Sequence, residues 1–356
     1  MFLFYKPTTQ YENLGDALIA KNLLEILSKK GTIFLLTEDI PKGFVDIIKN
    51  DNCVGISKVK FALMPLVYRL LNRDVAFIYK PGHLFGGSKE YGTGIKALLK
   101  ISYVNVLHFI GVKIIKTGVS VGPLSGSFLK AEMNISAKSY IYGVREDYSL
   151  KFVEGNSFKK YKRVSDLAYY SILKNREKYL DEKRDTISYS FRPYKQSNLP
   201  PELQAKKIAS AILDVATKNS IKIVNNVTQV QTDIVFNNLI EKELVANGLI
   251  VTKYYYDITK TSFEALGDIY KKTKIILSNR LHSLLFAFEY GAYPIAIGDK
   301  DENFKVFHVL NDLKMDHIIV NIENDDVNRY ELERAIQSQL LNSNKWNGND
   351  AMCDFI

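Results

Sequence analysis

The stretch KIILSNRLHSLLFAFEYGAYPIAIGDKDENFK, residues 274–305, holds a buried strand, a polar corner, a helix, a second buried strand and another polar corner. Parallel strands need a helical crossover and are buried on both faces, so this order is the signature of a parallel sheet covered by helices. The helical segment RLHSLLFAFEYG (280–291) is apolar almost all round and must be buried, with Gly291 stopping it. Arg280 and His282 then stand where an apolar strand turns into that helix. Asn279 is expected to cap the helix, which puts Arg280 near the first helical position and His282 near the third. An anion seated off the helix end would meet free backbone amides and both side chains.

The same unit recurs along the chain. Apolar runs at 32–38, 74–82, 112–122 and 140–146 alternate with segments of helical period, and the alternation restarts after 185 with runs at 186–194, 221–227, 249–257, 273–279, 293–299 and 317–321. With 356 residues the chain exceeds what one core supports, roughly 250–300 residues. The expected architecture is α/β: two doubly wound lobes facing a cleft. KNREKYLDEKRD (174–185), with almost nothing to bury, reads as their linker. The lobes are then residues 1–174 and 187–325, followed by a terminal helix and tail over 326–356. Ligands of such sheets bind outside the carboxyl ends of the strands, so the corners after strands are where chemistry is sought.

Composition narrows the class. The chain is 46% hydrophobic and 24% charged, an ordinary soluble globular balance. Cys53 and Cys353 match no metal or redox spacing, which points to a reducing, cytoplasmic compartment. The sequence contains no leader pattern and no apolar run of about 18 residues, so neither secretion nor a membrane span is expected. The net charge of +9 favours an anionic partner. It is spread, and its densest runs, such as SFKKYKR (157–163), read as solvated surface without any nucleic-acid-binding signature. Nucleic acid is not expected; an anionic small substrate, or peripheral contact with the anionic inner face of the cytoplasmic membrane, stays open. No ligand cluster calls for a metal.

Four corners carry unusual residues. In NLGD (13–16), Asn13 can cap a helix and Gly15 allows close approach of a ligand or of backbone. KPGHLFGGSKEYGTG (80–94) is a glycine-rich loop able to wrap a ligand with amides; it matches neither a phosphate loop nor a dinucleotide fingerprint. Its His83 reads equally as a functional or a solvated histidine. YGVREDYS (142–149) and SYSFRPY (188–194) each place one arginine, Arg145 and Arg192, at a strand end. Guanidinium forks suit carboxylate and phosphate, and both are expected at the mouth of the cleft, although Glu146 and Asp147 offer Arg145 local partners. The fourth corner is Asn279 to Ser283.

Taken in order, NLGDALI (13–19), PGHLFGG (81–87), VSVGPL (119–124), GVREDYS (143–149), VSDLAY (164–169), FRP (191–193) and NRLHSLLFAFEYGAYPIAIGDKDENFK (279–305) make the chain resemble the polysaccharide pyruvyl transferase family over about residues 11–310. The resemblance implies a GT-B-like protein of two Rossmann-like lobes. It also implies transfer of pyruvate from phosphoenolpyruvate to a sugar as a ketal, in bacterial capsule, exopolysaccharide or cell-wall glycan synthesis. Carried over, it makes Arg280 and His282 the donor pair, with Arg192 a second donor arginine and Asn279, Ser283 and Lys305 beside them. His282 is the candidate general acid and Asp16 a candidate base; Gly15, His83, Gly86, Gly87 and Arg145 fall to the acceptor side. Phosphoenolpyruvate is a co-substrate and no cofactor or metal is implied. The acceptor would be a lipid-linked or nucleotide-linked sugar. A nucleotide-sugar glycosyltransferase and a non-catalytic glycan-binding protein remain as other readings, since fold does not fix chemistry.

Overall fold

The structure is a computed structural model that describes residues 1–87, 95–259 and 263–342, the side chains of 95–98 and 340–342 excepted. The far part of the glycine-rich loop, Cys353 and the tail beyond 342 lie outside the described residues. The chain divides into two compact units. The first comprises Met1–Tyr11 and Asp16–Leu167; the second comprises Glu12–Gly15 and the residues from Ala168 onward.

The first unit is built on β1 (Phe2–Tyr5), β2 (Thr32–Leu36), β3 (Cys53–Ile56), β4 (Val75–Ile78), β5 (Gly82–Gly86), β6 (Lys113–Leu124), β7 (Ile141–Val144) and β8 (Tyr161–Arg163). All are parallel, in the order β3-β2-β1-β4-β6-β7-β8, with β5 also on β6. Its crossovers are α1 (Leu14–Ser28), α2 (Lys42–Ile48), α3 (Lys58–Leu70), α4 (Ile95–Phe109), α5 (Gly126–Lys138) and α6 (Asp147–Gly155). Of the basic run 157–163, expected as solvated surface, Lys159 and Lys160 are exposed, while its last three residues form the half-buried edge strand β8. Ionic groups sit inside this core, among them Lys116 and Glu132. Lys116 on β6 donates to Glu132 on α5 at 2.6 Å, and the Tyr142 hydroxyl donates to the same carboxylate oxygen at 2.9 Å. Both charged residues are 2% exposed. Burial pushes the Lys116 pKa down, against the pull of Glu132.

The second unit repeats the plan with β9 (Thr186–Ser190), β10 (Ile223–Thr228), β11 (Ile250–Tyr255), β12 (Thr273–Ser278), β13 (Tyr293–Gly298), β14 (Ile319–Glu323) and β15 (Asp326–Val327). Their order is β11-β10-β9-β12-β13-β14-β15, parallel except for the last pair. Its helices are α7 (Ala168–Asn175), α8 (Pro201–Lys218), α9 (Ile234–Ala246), α10 (Phe263–Lys272), α11 (Leu281–Glu289), α12 (Phe304–Asp312) and α13 (Arg329–Asn342). In each sheet the winding reverses beside the unit's first strand, between β1 and β4 and between β9 and β12. Crossovers leave a reversal point in opposite directions and so leave a crevice at the strand ends.

The charged stretch 174–185 differs from its expected role as a linker. Arg176 is buried, lies 3.6 Å from the centre of the Phe288 ring and donates to the Phe288 carbonyl. Arg184 donates to the carbonyls of Leu180 at 3.1 Å, Tyr290 at 3.2 Å and Tyr179. The last carbonyls of a helix have no intrahelical donor, and arginine supplies one with a compensating charge. These two side chains thus finish α11, the apolar helix at the centre of the sequence reading. Gly291 ends it at φ +89°, where a Cβ would lie 2.1 Å from the Arg184 guanidinium.

Candidate functional site

The reversal point of the second sheet brings together the ends of β9 and β12. Asn279 accepts from the Arg192 amide at 2.9 Å and donates to the Arg192 carbonyl at 2.9 Å, pinning the two strand ends to each other. Ser278 accepts from the Arg280 amide at 2.9 Å and donates to the Ser190 carbonyl. This corrects the expected cap. Asn279 spends its carboxamide across the sheet, and Arg280 itself is the N-cap residue, at φ −105° and ψ 113°. Leu281 is the first helical residue and His282 the second.

Two guanidinium groups flank this helix start. Arg280 grips Asp233, the N-cap residue of α9, with Nε and Nη2 at 2.8 and 2.6 Å; Asp233 is buried and the arginine side chain remains 25% exposed. Arg192 donates from Nη2 to the Glu302 carbonyl at 3.3 Å and stands 3.8 Å from its carboxylate. Its buried Nε has no hydrogen-bond partner among the described residues. Burial, and next the charge of Arg280, push the Arg192 pKa down. An arginine does not shed its proton for this, and the carboxylates of Glu302 and Asp233 offset part of the repulsion between the two cations. Ser283, in the first turn of α11, holds a buried hydroxyl with no partner among the described residues. Lys305 lies on the first turn of α12 with its ammonium 5.6 Å from the Phe304 ring centre.

Gly15 belongs to the same unit. Asn13 bridges to Val230 and the Leu14 amide donates to the Gln229 carbonyl at 3.1 Å, so the motif is stitched beside the end of β10. Asn13 accepts from the Gly15 amide at 3.0 Å, as a helix cap does. A Cβ on Gly15 would lie 2.4 Å from Nδ1 of His282. Glycine is required here because the imidazole occupies the space a side chain would need. Gly15, Arg192, Asn279, Arg280, His282 and Ser283 therefore form one cluster.

The other sequence candidates lie in the first unit. Asp16 accepts from the Thr9 hydroxyl at 2.6 Å and the Gln10 amide at 3.3 Å. It lines a cavity of about 10 Å³ with Tyr5, Thr8, Thr9, Lys80 and Gly82, room for about one water, at that sheet's own reversal point. His83 on β5 stacks on Phe85 at 4.8 Å, with Nε2 3.2 Å from the Gly122 carbonyl. Gly86 adopts φ +102° and accepts from the Ser125 amide at 3.0 Å; Gly87 follows it. Arg145 was expected at an open mouth and is instead buried. It donates to Ser120 at 2.7 Å and Asp166 at 2.8 Å and reaches Glu146 at 3.3 Å. Two carboxylates make that burial sustainable, whereas Asp147, the other local candidate, pairs with Arg163. Among the described residues no three His, Cys, Asp or Glu side chains are placed to hold a metal ion.

The cluster lies within a matching family description, polysaccharide pyruvyl transferase, which covers residues 13–301. The chain belongs to the polysaccharide pyruvyl transferase family. No curated protein sequence matches it. Among solved structures, this pyruvyl transferase family member is similar to the UDP-GlcNAc 2-epimerase of Methanocaldococcus jannaschii, at 12% identity and TM-score 0.57, over 99% of this chain and 96% of that one. It is also similar to S. aureus MnaA in a co-structure with UDP, at 10% identity and TM-score 0.51, over 99% and 90%. At such identities the likeness is one of fold, a GT-B-like pair of Rossmann-like lobes.

Sequence reasoning missed Asp233, whose carboxylate holds Arg280, and Glu302, whose carbonyl accepts from Arg192 and whose carboxylate stands 3.8 Å from it. Both sit at corners after strands, Asp233 after β10 and Glu302 after β13. The signal that marks a corner in the sequence is its cation, and these two carry anions. The pins at Asn279 make one consequence measurable. Asn279→Ala removes two hydrogen bonds and leaves a half-buried amide and carbonyl of Arg192 unpaired, at up to about 1–3 kcal/mol for each unsatisfied group. Urea denaturation of the family member and its Asn279→Ala variant measures the loss, and an unchanged midpoint would mean that water replaces the carboxamide.

Proposed function

We propose that this family member transfers pyruvate from phosphoenolpyruvate to a sugar as a cyclic ketal. The observation that carries the reading is the pair Arg192 and Arg280 at the start of α11, with the buried Nε of Arg192 unpartnered among the described residues and His282 one residue into the helix. Phosphoenolpyruvate bears a phosphate and a carboxylate, the two groups that arginine forks receive best. In the proposed step His282, as imidazolium, gives a proton to C3 of the enol, and C2 becomes electrophilic. A sugar hydroxyl gives its proton to a base as its oxygen attacks C2, phosphate departs with the C–O bonding pair, and a second hydroxyl closes the ketal as its proton passes to the phosphate. Arg192 and Arg280 neutralise charge gathering on the leaving phosphate. Ser283 would add a hydroxyl donor, Lys305 a further cation, and Asp16 a base for the acceptor. The acceptor is a lipid-linked or nucleotide-linked sugar in a bacterial surface glycan, and the reaction belongs to the cytoplasm.

The test is incubation with phosphoenolpyruvate and a panel of such sugars. Phosphate release with a product heavier by one pyruvyl ketal supports the reading. Transfer of a hexose from a nucleotide sugar, or binding of glycan without turnover, would replace it with the glycosyltransferase or glycan-binding alternative. Gly15 gives a second, narrower check. Gly15→Ala forces the His282 ring to move, so kcat should fall by about tenfold or more while KM for phosphoenolpyruvate changes little, because misplacing one reacting group is costly and the arginines are untouched. Equal loss in both parameters would show that the glycine serves donor binding instead.

A further inference from the structure

The first unit carries an apolar face that its own core does not use. α3 turns Phe61 and Pro65 inward, with Met64, Leu66 and Tyr68 packed on the core beside them. Its opposite side presents Val59, Leu63, Val67 and Leu70, spaced i, i+4, i+8 and i+11, with Val59 67% and Leu70 74% exposed. That spacing keeps all four on one stripe of the helix. α4 lies alongside and runs the same way, joined to α3 by the Tyr103 hydroxyl on the Ala62 carbonyl at 3.1 Å and by Arg69 Nε on the Ile110 carbonyl at 3.0 Å. It adds Val106 and Phe109, the latter 89% exposed. Scattered surface apolar residues need no explanation, but a stripe shared by two adjoining helices does.

Charge decides what covers it. Residues 58–73 hold Lys58, Lys60, Arg69 and Arg73 and no acid; residues 95–113 hold Lys96, Lys100 and Lys113 and no acid. Lys58 and Lys113 pair at the surface with Asp39 and Asp74 from neighbouring segments, and the whole chain carries +9. A second copy using this face would set like against like, because a two-fold interface presents the same patch from both sides. A surface of lipid phosphates over hydrocarbon meets both features together: apolar side chains enter the boundary and lysines and arginines meet the headgroups. We propose that the outer face of α3 and α4 docks on an anionic lipid bilayer. The inference stands apart from the pyruvyl-transfer reading and neither depends on the other. Among the described residues no helix is long and apolar enough to cross a membrane, so the contact is peripheral.

Co-sedimentation of the full chain with vesicles of phosphatidylglycerol and phosphatidylcholine, against phosphatidylcholine alone, tests it. The chain should pellet with the anionic vesicles, at least tenfold less with the neutral ones, and less as salt is raised to about 0.5 M. Leu63→Glu/Leu70→Glu should lower binding tenfold or more with an unchanged circular dichroism spectrum, since both side chains are exposed. Lys60→Glu/Arg73→Glu, which leaves the apolar stripe intact, should remove the preference for anionic lipid. Failure to pellet with either vesicle, or equal pelleting of parent and Leu63→Glu/Leu70→Glu, overturns the proposal. So does a parent chain that sediments as a dimer, binds no lipid and becomes a monomer in that variant, which would make the face a protein interface.

Discussion

Replacing His282 by alanine is expected to cut ketal formation by about 10²–10⁴-fold, the range over which a positioned proton donor acts. The fold should survive, because the helix carrying it is held by Leu281, Leu284, Leu285 and Phe288, all buried, and by the arginines at its far end. Donor binding should survive as well. Phosphoenolpyruvate would still find Arg192 and Arg280, so it should raise the melting temperature of His282→Ala about as much as that of the parent. Turnover at the parent rate would remove His282 from the reaction. Loss of the thermal shift together with turnover would make it a binding residue, and the source of the C3 proton would have to be sought elsewhere.

The second large effect concerns stability. Lys116→Met should destabilise the first unit by about 3–5 kcal/mol, because among the described residues it leaves the buried Glu132 carboxylate with the Tyr142 hydroxyl alone as donor. Lys116→Met/Glu132→Met should recover most of that loss, since apolar side chains of similar size replace a pair whose desolvation cost is large. Urea unfolding of the parent and the two variants reads both numbers. A single variant as stable as the parent would mean that the core relaxes around Glu132 and that the ion pair contributes no net stability.

The plan of two parallel sheets covered by helices was legible in the sequence because it depends on local signals. Apolar runs of strand length, helical periods between them and Gly291 at the helix end are each read within a few residues, and the parallel winding follows from their alternation. Partners are a different matter. Asn279 looked like a helix cap from its neighbours, yet its carboxamide is taken by Arg192, 87 residues earlier in the chain. Arg280 meets Asp233 across 47 residues, and nothing near either one announces the pair. Arg145 shows the converse failure: an arginine at a strand end is costly to bury alone, but Asp166, 21 residues on, removes the cost. Charge density misled in the same way at 174–185, where arginines that look solvated are used on helix carbonyls. Periodicity reports which face is covered, while the choice of ionic partner is fixed only when distant strands come side by side.

The two arginines that close the far end of α11 bear on how its near end behaves. A helix whose last turn is clamped by Arg176 over Phe288 and by Arg184 on the Tyr290 carbonyl is poorly able to slide along its own axis or to shed a turn. Negative charge density at that end is cancelled as well, so an anion of the kind proposed would feel an uncompensated positive terminus at the other. Recognition would then resemble a key entering a fixed lock: residues 280–283 stay put, and an arriving anion adjusts only the loosely held guanidinium of Arg192.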